Sequence, residues 1–251
     1  RNMLRQSRNR PAVVAADMMG VDMMVEMYQR LGLSSFKTRK DVGISAVLGA
    51  VEVKPAEQFN AYAVLANKGK YNPLQPILKI LDRDGKVVWE FKPDGGKQVV
   101  DERAAYLVTD MLYDYAGDTV KGLKGYPAAA KTGTSDNNKD MYFIGYTPEI
   151  VTGIFVGNNN NGPVKKDSTG TWPYGYNASR GAWMAYMNRI MPRYPKTPFT
   201  RPAGIVEASV CLISGKLATP TCGATFTEKF IDGKLPPLDD SFTVKNVCLD
   251  L

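Results

Sequence analysis

The chain has 251 residues, of which 44% are hydrophobic, so it can bury a full core as one large domain or as one domain with an appendage. It contains no histidine, which excludes Ser-His-Asp and Cys-His catalysis and any metal site built on imidazole. The net charge is +7, but the basic residues are dispersed and do not form the cluster typical of a nucleic-acid-binding surface.

The sequence carries no recognisable membrane anchor or secretion signal. No apolar run approaches the roughly 20 residues that a membrane-spanning helix needs, and the N-terminal residues do not resemble a signal peptide. The chain begins at Arg1, without methionine and within a polar segment. This beginning is typical of an internal piece of a longer protein, so we expect any anchor or export signal to lie upstream of Arg1.

The first part of the chain is predicted to be mainly helical. Residues 11–31 have the spacing of a helix with Pro11 in its first turn, which ends before Gly32 and is interrupted at Gly20. A second helix is predicted over residues 55–67.

A hairpin and a third helix follow. Asp84-Gly85 is a strong turn signal between two strand-like runs within residues 76–91. Asp101 is predicted to cap a helix whose apolar residues repeat at helical spacing as far as Tyr115.

From Ala128 the apolar pattern changes to that of strands. The predicted elements are strands over 128–134, 140–147 and 149–158, a loop over 158–177, and a helix over 178–191. Helices before and after an antiparallel sheet indicate an α+β fold. We expect the main domain to span residues 1–192 and a small appendage or extension to span residues 193–251.

The three cysteines are too few for a disulfide-rich scaffold. Cys211 and Cys222 are spaced to close a short loop, as would suit an oxidising compartment, and Cys248 is then left over. Free thiols throughout are equally compatible with the sequence.

The most informative motif is Lys131-Thr132-Gly133-Thr134. Four fixed positions are expected by chance in under about 1% of chains of this length. Without histidine, a serine nucleophile must be activated by a lysine or a carboxylate, and lysine qualifies when burial or a neighbouring cation lowers its pKa.

Two serine patterns elsewhere in the chain are interpreted as coincidence. Ser135-Asp136-Asn137 directly follows the Lys-Thr-Gly-Thr motif, so it cannot also form the facing wall of a cleft lined by Lys131. Ser34 and Lys37 match the pattern Ser-x-x-Lys, but no apolar run surrounds Lys37, and an exposed lysine is a poor base.

Ser7-Arg8-Asn9 is in a different position. It immediately precedes a predicted helix and lies far upstream of Lys131, so it can face that lysine across a cleft. Its alternative role is that of a helix N-cap.

These motifs resemble, in their order, a known family. The segments SRNRPAV, LGAVEVKPAEQFNAYAVLANKGKYNP and AAKTGTSDNNKDMYFIGYTPEIVTGIFVGNN are similar to the C-terminal part of a penicillin-binding transpeptidase domain, most of all that of the bifunctional class A penicillin-binding proteins. A weaker similarity continues through residues 201–222. The family order is Ser-x-x-Lys, Ser-x-Asn, Lys-Thr-Gly-Thr, and the chain carries the second and third motifs. Tyr142 stands where family members often have tryptophan.

The resemblance implies the acyl-serine transferase fold shared with β-lactamases, an antiparallel sheet flanked by helices plus a helical subdomain, here incomplete at its N-terminus. It implies a peptidoglycan D,D-transpeptidase that acts through an acyl-serine intermediate and is part of a bifunctional glycosyltransferase/transpeptidase. The nucleophilic serine of Ser-x-x-Lys would lie some tens of residues upstream of Arg1.

The resemblance also implies residue roles. Ser7 would relay a proton to the leaving nitrogen, and Asn9 would orient the upstream lysine and the substrate amide. Lys131 would direct positive potential at the substrate carboxylate, which the hydroxyls of Thr132 and Thr134 would bind. Gly133 would let the substrate backbone lie against the strand, and the Thr134 N–H would be one oxyanion donor.

The implied partners are peptidoglycan stem peptides, β-lactam antibiotics and the upstream segment of the same protein. No cofactor, metal or nucleic acid is implied, and membrane attachment is expected only through an N-terminal segment outside this chain, on the extracytoplasmic face of the bacterial membrane.

Two alternatives stay open. One is a carboxypeptidase or β-lactamase of the same superfamily, although no glutamate stands in a recognisable position to direct a deacylating water. The other is a non-catalytic scaffold domain that kept the fold and lost the nucleophile.

Overall fold

The computed structural model describes residues 1–38 and 41–241, and the chain divides into two compact units, Arg1–Phe199 and Thr200–Leu251. The helices are α1 (Asn2–Arg5), α2 (Asn9–Met19), α3 (Val21–Arg30), α4 (Ser35–Thr38), α5 (Pro55–Ala66), α6 (Glu102–Thr119) and α7 (Gly175–Ile190). The strands are β1 (Lys70–Tyr71), β2 (Lys79–Leu81), β3 (Val87–Glu90), β4 (Lys97–Gln98), β5 (Ala129–Thr134), β6 (Asp140–Tyr146), β7 (Val151–Gly157), β8 (Ile205–Cys211) and β9 (Thr225–Ile231).

The first unit is built on the antiparallel sheet β5-β6-β7, in which β6 is central and β5 is an edge strand. The register pairs Lys131 with Ile144 and Thr134 with Met141. Because side chains alternate along a strand, Lys131 and Gly133 lie on one face and Thr132 and Thr134 on the other. The predicted strand that carries the Lys-Thr-Gly-Thr motif is therefore present, at an edge of this sheet.

Helix α7 covers one face of this sheet through close contact at a glycine. A Cβ at Gly145 would lie 2.4 Å from the Trp183 ring, so only glycine lets the fully buried tryptophan pack there. The indole N–H of Trp183 donates to the Thr152 carbonyl at 3.0 Å, and its ring packs on Phe143. The strand and the helix are therefore held at a fixed distance.

Helices α5 and α6 pack against the other face. A Cβ at Gly153 would lie 2.2 Å from the Phe59 ring of α5. Tyr146 is fully buried and shares a hydrogen bond of 3.0 Å with Thr109 of α6. Burial accordingly raises the pKa of Tyr146 far above its usual range. The α+β class is confirmed.

Local signals placed most element boundaries. Gly20 has φ +84° and separates α2 from α3 as predicted. The Asp101 carboxylate accepts from the Arg103 N–H at 2.8 Å and caps α6. The β2–β3 hairpin turns at Gly85, with φ +80°.

The start of α7 differs from the prediction. The helix begins at Gly175, inside the predicted loop 158–177, because the Asn177 side chain accepts from the Tyr174 N–H at 2.7 Å and caps the first turn.

The second unit contains the antiparallel pair β8-β9, with Ile205 opposite Ile231 and Cys211 opposite Thr225. The predicted division into a main domain over residues 1–192 and an appendage over residues 193–251 stays a prediction. Cys248 lies outside the described residues. Within the two described ranges, no helix is both long enough and apolar enough to cross a membrane.

Candidate active site at the edge of the sheet

The structure brings Ser7 and Lys131 together although 124 positions separate them in the sequence. The Lys131 ammonium on edge strand β5 donates a hydrogen bond to Ser7 Oγ and another, of 2.9 Å, to the Thr132 carbonyl. Ser7 therefore faces Lys131, as the order of the motifs predicts. A hydroxyl and an ammonium in contact form a pair able to pass a proton.

Lys131 is half-buried, and this burial lowers its pKa from the ordinary lysine value, because the charged form loses hydration. The shift makes its proton easier to give up, while the two acceptors around the ammonium favour the charged form. Lys131 therefore combines positive potential with a proton that is held less tightly than in water.

Ser7 adopts a backbone conformation that is rare for a residue with a side chain. It lies in the turn between α1 and α2 with φ +54°. Its N–H donates to the Leu4 carbonyl at 3.1 Å, and the next N–H, of Arg8, donates to Met3 at 2.9 Å. Such strained residues concentrate at functional sites, where the surroundings hold them in place.

No strand among residues 1–38 and 41–241 pairs with the outer edge of β5, so this edge presents backbone donors. The Ser135 N–H donates to the Asp140 carbonyl of β6 at 2.8 Å. Residues of an antiparallel pair alternate between pointing their N–H and C=O at the partner strand and pointing them away. Thr134 therefore directs its backbone groups away from β6, toward the edge where an extended ligand can pair with them.

Gly175 is a site residue that the sequence reasoning missed. Its N–H donates to Thr134 Oγ1 at 2.9 Å. A Cβ on Gly175 would lie 2.4 Å from the Gly133 carbonyl oxygen and 2.7 Å from that of Tyr142, so only glycine allows α7 to begin against the strand. The hydrogen bond occupies a lone pair of the Thr134 hydroxyl and leaves its proton available to an incoming acceptor.

Asn9 and Gly133 were also predicted to belong to the site of Ser7 and Lys131. Asn9 is the first residue of α2 and is exposed, and its side chain has no hydrogen-bond partner among residues 1–38 and 41–241. A Cβ at Gly133 would meet Tyr142 Cβ at 3.6 Å, an ordinary contact. The fold itself therefore tolerates a side chain at position 133.

The two patterns interpreted as coincidence have other partners. Ser135 Oγ accepts from the Asp140 N–H at 2.9 Å within the β5–β6 connection. Ser34 Oγ donates to the Glu57 carboxylate at 2.8 Å, and Lys37 is exposed.

Aromatic side chains lie next to the site in sequence and were not singled out by the motifs. Tyr174 and Tyr176 flank Gly175 and are both exposed, as is Trp172. Lys166 lies 5.1 Å from the centre of the Trp172 ring, and Arg180 lies 5.3 Å from that of Tyr176. Their only sequence signal is an aromatic-rich run ahead of a helix.

Comparison with known families agrees with this geometry. Residues 1–171 match the penicillin binding protein transpeptidase domain. The chain belongs to this family. Residues 201–237 also match the C-terminal domain of penicillin-binding protein 1A, so the second unit is likewise related to class A proteins.

Individual relatives are similar over nearly the whole chain. Penicillin-binding protein 1A of Clostridium botulinum is 29% identical over 98% of this chain and 30% of its own length. Penicillin-binding protein 2D of Bacillus subtilis is 30% identical over 80% of the chain and 30% of its own length. The chain thus spans about a third of the length of such relatives.

Solved structures show the same fold. Penicillin-binding protein 1A of Haemophilus influenzae superimposes with a TM-score of 0.77, at 25% identity, over 93% of this chain and 40% of that one. PonA1 of Mycobacterium tuberculosis, in complex with penicillin V, gives 0.72 at 24% identity over 80% and 58%.

Proposed function

We propose that the chain is the C-terminal part of a peptidoglycan D,D-transpeptidase and supplies two of the three motifs of its active site. The observation that carries the proposal is the contact of Lys131 with Ser7 at the open edge of β5. The nucleophilic serine and its lysine belong to a segment upstream of Arg1 in the same protein.

Acylation starts when the upstream serine oxygen attacks the carbonyl of the D-alanyl-D-alanine bond. A C–O bond forms and the C–N bond breaks, so the serine proton must reach the departing nitrogen of D-alanine. Ser7 can relay that proton because its hydroxyl both accepts from Lys131 and carries a hydrogen of its own. An amine of a second stem peptide then attacks the ester, restoring the serine and forming the cross-link.

Recognition of the substrate carboxylate rests on Lys131 and the two threonines. The ammonium supplies positive potential, and a charge-assisted hydrogen bond to a carboxylate is shorter and stronger than a neutral one. Thr134 presents its hydroxyl proton because Gly175 already occupies a lone pair. The hydroxyl of Thr132 completes this carboxylate site.

The edge of β5 would bind the peptide backbone as an added strand. The Thr134 N–H points to that edge and would donate to the oxyanion formed in the tetrahedral intermediate. Gly133 has room for a Cβ on the protein side. We therefore attribute the role of glycine at this position to the ligand backbone, which would pass over it. Asn9 would orient the upstream lysine and the substrate amide.

The setting of the reaction follows from its substrate. Peptidoglycan cross-linking takes place outside the bacterial membrane, so we place this chain on the extracytoplasmic face, attached through an upstream segment. A glycosyltransferase domain would share the same polypeptide, as the similarity to class A proteins suggests.

The proposal is tested with the protein extended to include its upstream segment. A pentapeptide donor and an amine acceptor are supplied, and products are identified by mass spectrometry. A cross-linked product supports the transpeptidase. Release of D-alanine with water as the sole acceptor would indicate a carboxypeptidase, and the absence of any acyl-enzyme would indicate a scaffold.

A further inference from the structure

The second unit contains a cluster of metal-binding groups that the transpeptidase chemistry does not use. Cys211 Sγ, Cys222 Sγ and a carboxylate oxygen of Asp239 all lie within 4.8 Å of one another. Both cysteines are free thiols. Cys211 and Asp239 are buried, with relative exposures of 1% and 6%, and Cys222 is partly buried.

Three separate stretches of chain bring these donors together. Cys211 ends β8, and its N–H donates to the Lys216 carbonyl at 2.8 Å across a tight turn. Cys222 follows in the connection to β9. Asp239 comes from the segment after β9, and its N–H donates to the Leu217 carbonyl at 2.8 Å. Backbone hydrogen bonds therefore hold in place the segments that carry Cys211 and Asp239.

The Cys222 sulfur has hydrogen-bond partners on the backbone and on Asp239. The Thr219 N–H donates to Cys222 Sγ at 3.4 Å, and the Cys222 N–H returns to the Thr219 carbonyl at 3.0 Å. The Cys222 thiol in turn donates to Asp239 Oδ2 at 3.3 Å, so its hydrogen occupies the space between sulfur and carboxylate.

Few side chains of the second unit are fully buried. Among residues 200–241, the buried side chains are Ile205, Val210, Cys211 and Asp239. Small domains with so few buried apolar residues commonly depend on disulfides or a structural metal for stability. The Asp239 carboxylate is buried among them and accepts hydrogen bonds from the Ser241 N–H at 3.2 Å and from the Cys222 thiol at 3.3 Å.

We propose that Cys211, Cys222 and Asp239 bind a zinc ion that stabilises the second unit. Thiolate and carboxylate donors together favour Zn²⁺ among the common divalent ions. Zinc–sulfur bonds of about 2.3 Å place tetrahedral ligand atoms roughly 3.5–4 Å apart. The Cys222 sulfur and Asp239 Oδ2 are 3.3 Å apart and no two of the three donor atoms are more than 4.8 Å apart, so small movements of the donors suffice. Binding replaces the two thiol protons, which leave to solvent, and the fourth coordination position takes water or another donor.

A Cys211–Cys222 disulfide is the competing arrangement of the same atoms. It would remove the thiol hydrogen that Asp239 Oδ2 accepts and leave the buried carboxylate with one donor fewer. A zinc ion would bind both sulfur atoms and the carboxylate at once. The buried carboxylate therefore favours zinc over the disulfide.

The test measures zinc bound by the complete chain, purified under reducing conditions and dialysed against zinc-containing and then metal-free buffer. The expected result is one zinc per chain, with Cys211 and Cys222 protected from alkylation until a chelator is added. The substitutions Cys222→Ser and Asp239→Asn should each lower the affinity at least tenfold. The control is Asp240→Asn, which changes an adjacent carboxylate that is 80% exposed and paired with Lys216.

Three results would overturn the site: zinc content near zero in the wild-type chain, unchanged zinc affinity in Asp239→Asn, or a Cys211–Cys222 disulfide in chain prepared with zinc and no added oxidant. Because the alkylation measurement uses the unsubstituted chain, it decides the question even if a variant fails to fold.

Discussion

The N–H of Gly175 donates a hydrogen bond of 2.9 Å to Thr134 Oγ1, and this contact joins the first residue of α7 to the last residue of edge strand β5. It sets both the orientation of the threonine hydroxyl and the distance between helix and strand. The outer edge of the sheet therefore presents Thr134 in one defined state.

Gly175→Ala should disturb this contact. The new Cβ would lie 2.4 Å from the Gly133 carbonyl oxygen, so the helix must shift away from the strand. We expect a loss of about 1–3 kcal/mol in the free energy of unfolding, typical of overpacking, and slower acylation by penicillin. The matched control is Gly181→Ala in the same helix, where a Cβ meets nothing within 4 Å. That variant should be as stable as wild type or more stable, by up to about 1 kcal/mol. Equal stability of the two variants would contradict the close approach.

Two substitutions at Ser7 separate the effect of its backbone strain from the effect of its hydroxyl. Ser7→Gly and Ser7→Ala both remove the Oγ that Lys131 contacts, so both should lower the acylation rate. Only glycine adopts φ +54° without a steric penalty. Ser7→Gly should therefore be more stable than Ser7→Ala, by about 1 kcal/mol in chemical denaturation. If alanine is the more stable substitution, the left-handed turn at position 7 is wrong.

The lowered pKa of Lys131 gives a pH dependence of definite sign. Between the folded pKa and the ordinary lysine value, the unfolded chain binds more protons than the folded chain, so the wild type gains stability as the pH rises through this window. Lys131→Met lacks this contribution. The free energy of unfolding of the wild type minus that of the variant should therefore increase as the pH rises from neutral to about 10. Lys37→Met, at an exposed lysine, controls for loss of one charge. A difference that falls as the pH rises would contradict burial of the ammonium.

Local chemistry explains what could be predicted from the sequence. The break at Gly20, the cap at Asp101 and the turn at Gly85 depend on residues within a few positions of one another. The strand with Lys131 follows from its own alternation and motif.

What could not be predicted depends on distant segments. Gly175 meets Thr134 from 41 positions away, and Asp239 reaches Cys222 from 17 positions away in a stretch without regular structure. A glycine or an aspartate in such a stretch reads as an ordinary loop residue. The left-handed φ of Ser7 could not be predicted either, because serine has no special preference for that conformation.

Thr134→Val tests recognition of the carboxylate. Valine keeps the β-branched shape on the strand but removes the hydroxyl that we propose donates to the ligand carboxylate. Acylation by a carboxylate-bearing β-lactam should fall by about 5- to 150-fold, which corresponds to ~1–3 kcal/mol. The Gly175 N–H also loses its acceptor, so a small fall in Tm is expected. Thr134→Ser restores the hydroxyl and should recover most of the rate; failure of serine to rescue would exclude the hydroxyl as the donor.

The most direct test of the central claim, that Ser7 and Lys131 form part of an acyl-serine site, is intact-protein mass spectrometry of the protein with its upstream segment after exposure to penicillin. The account predicts one covalent penicilloyl adduct per molecule, located by peptide mapping on a serine upstream of Arg1. The adduct should form much more slowly in Lys131→Met, and circular dichroism checks that this variant is folded. An adduct on Ser34, or no adduct on folded wild-type protein, would contradict the account.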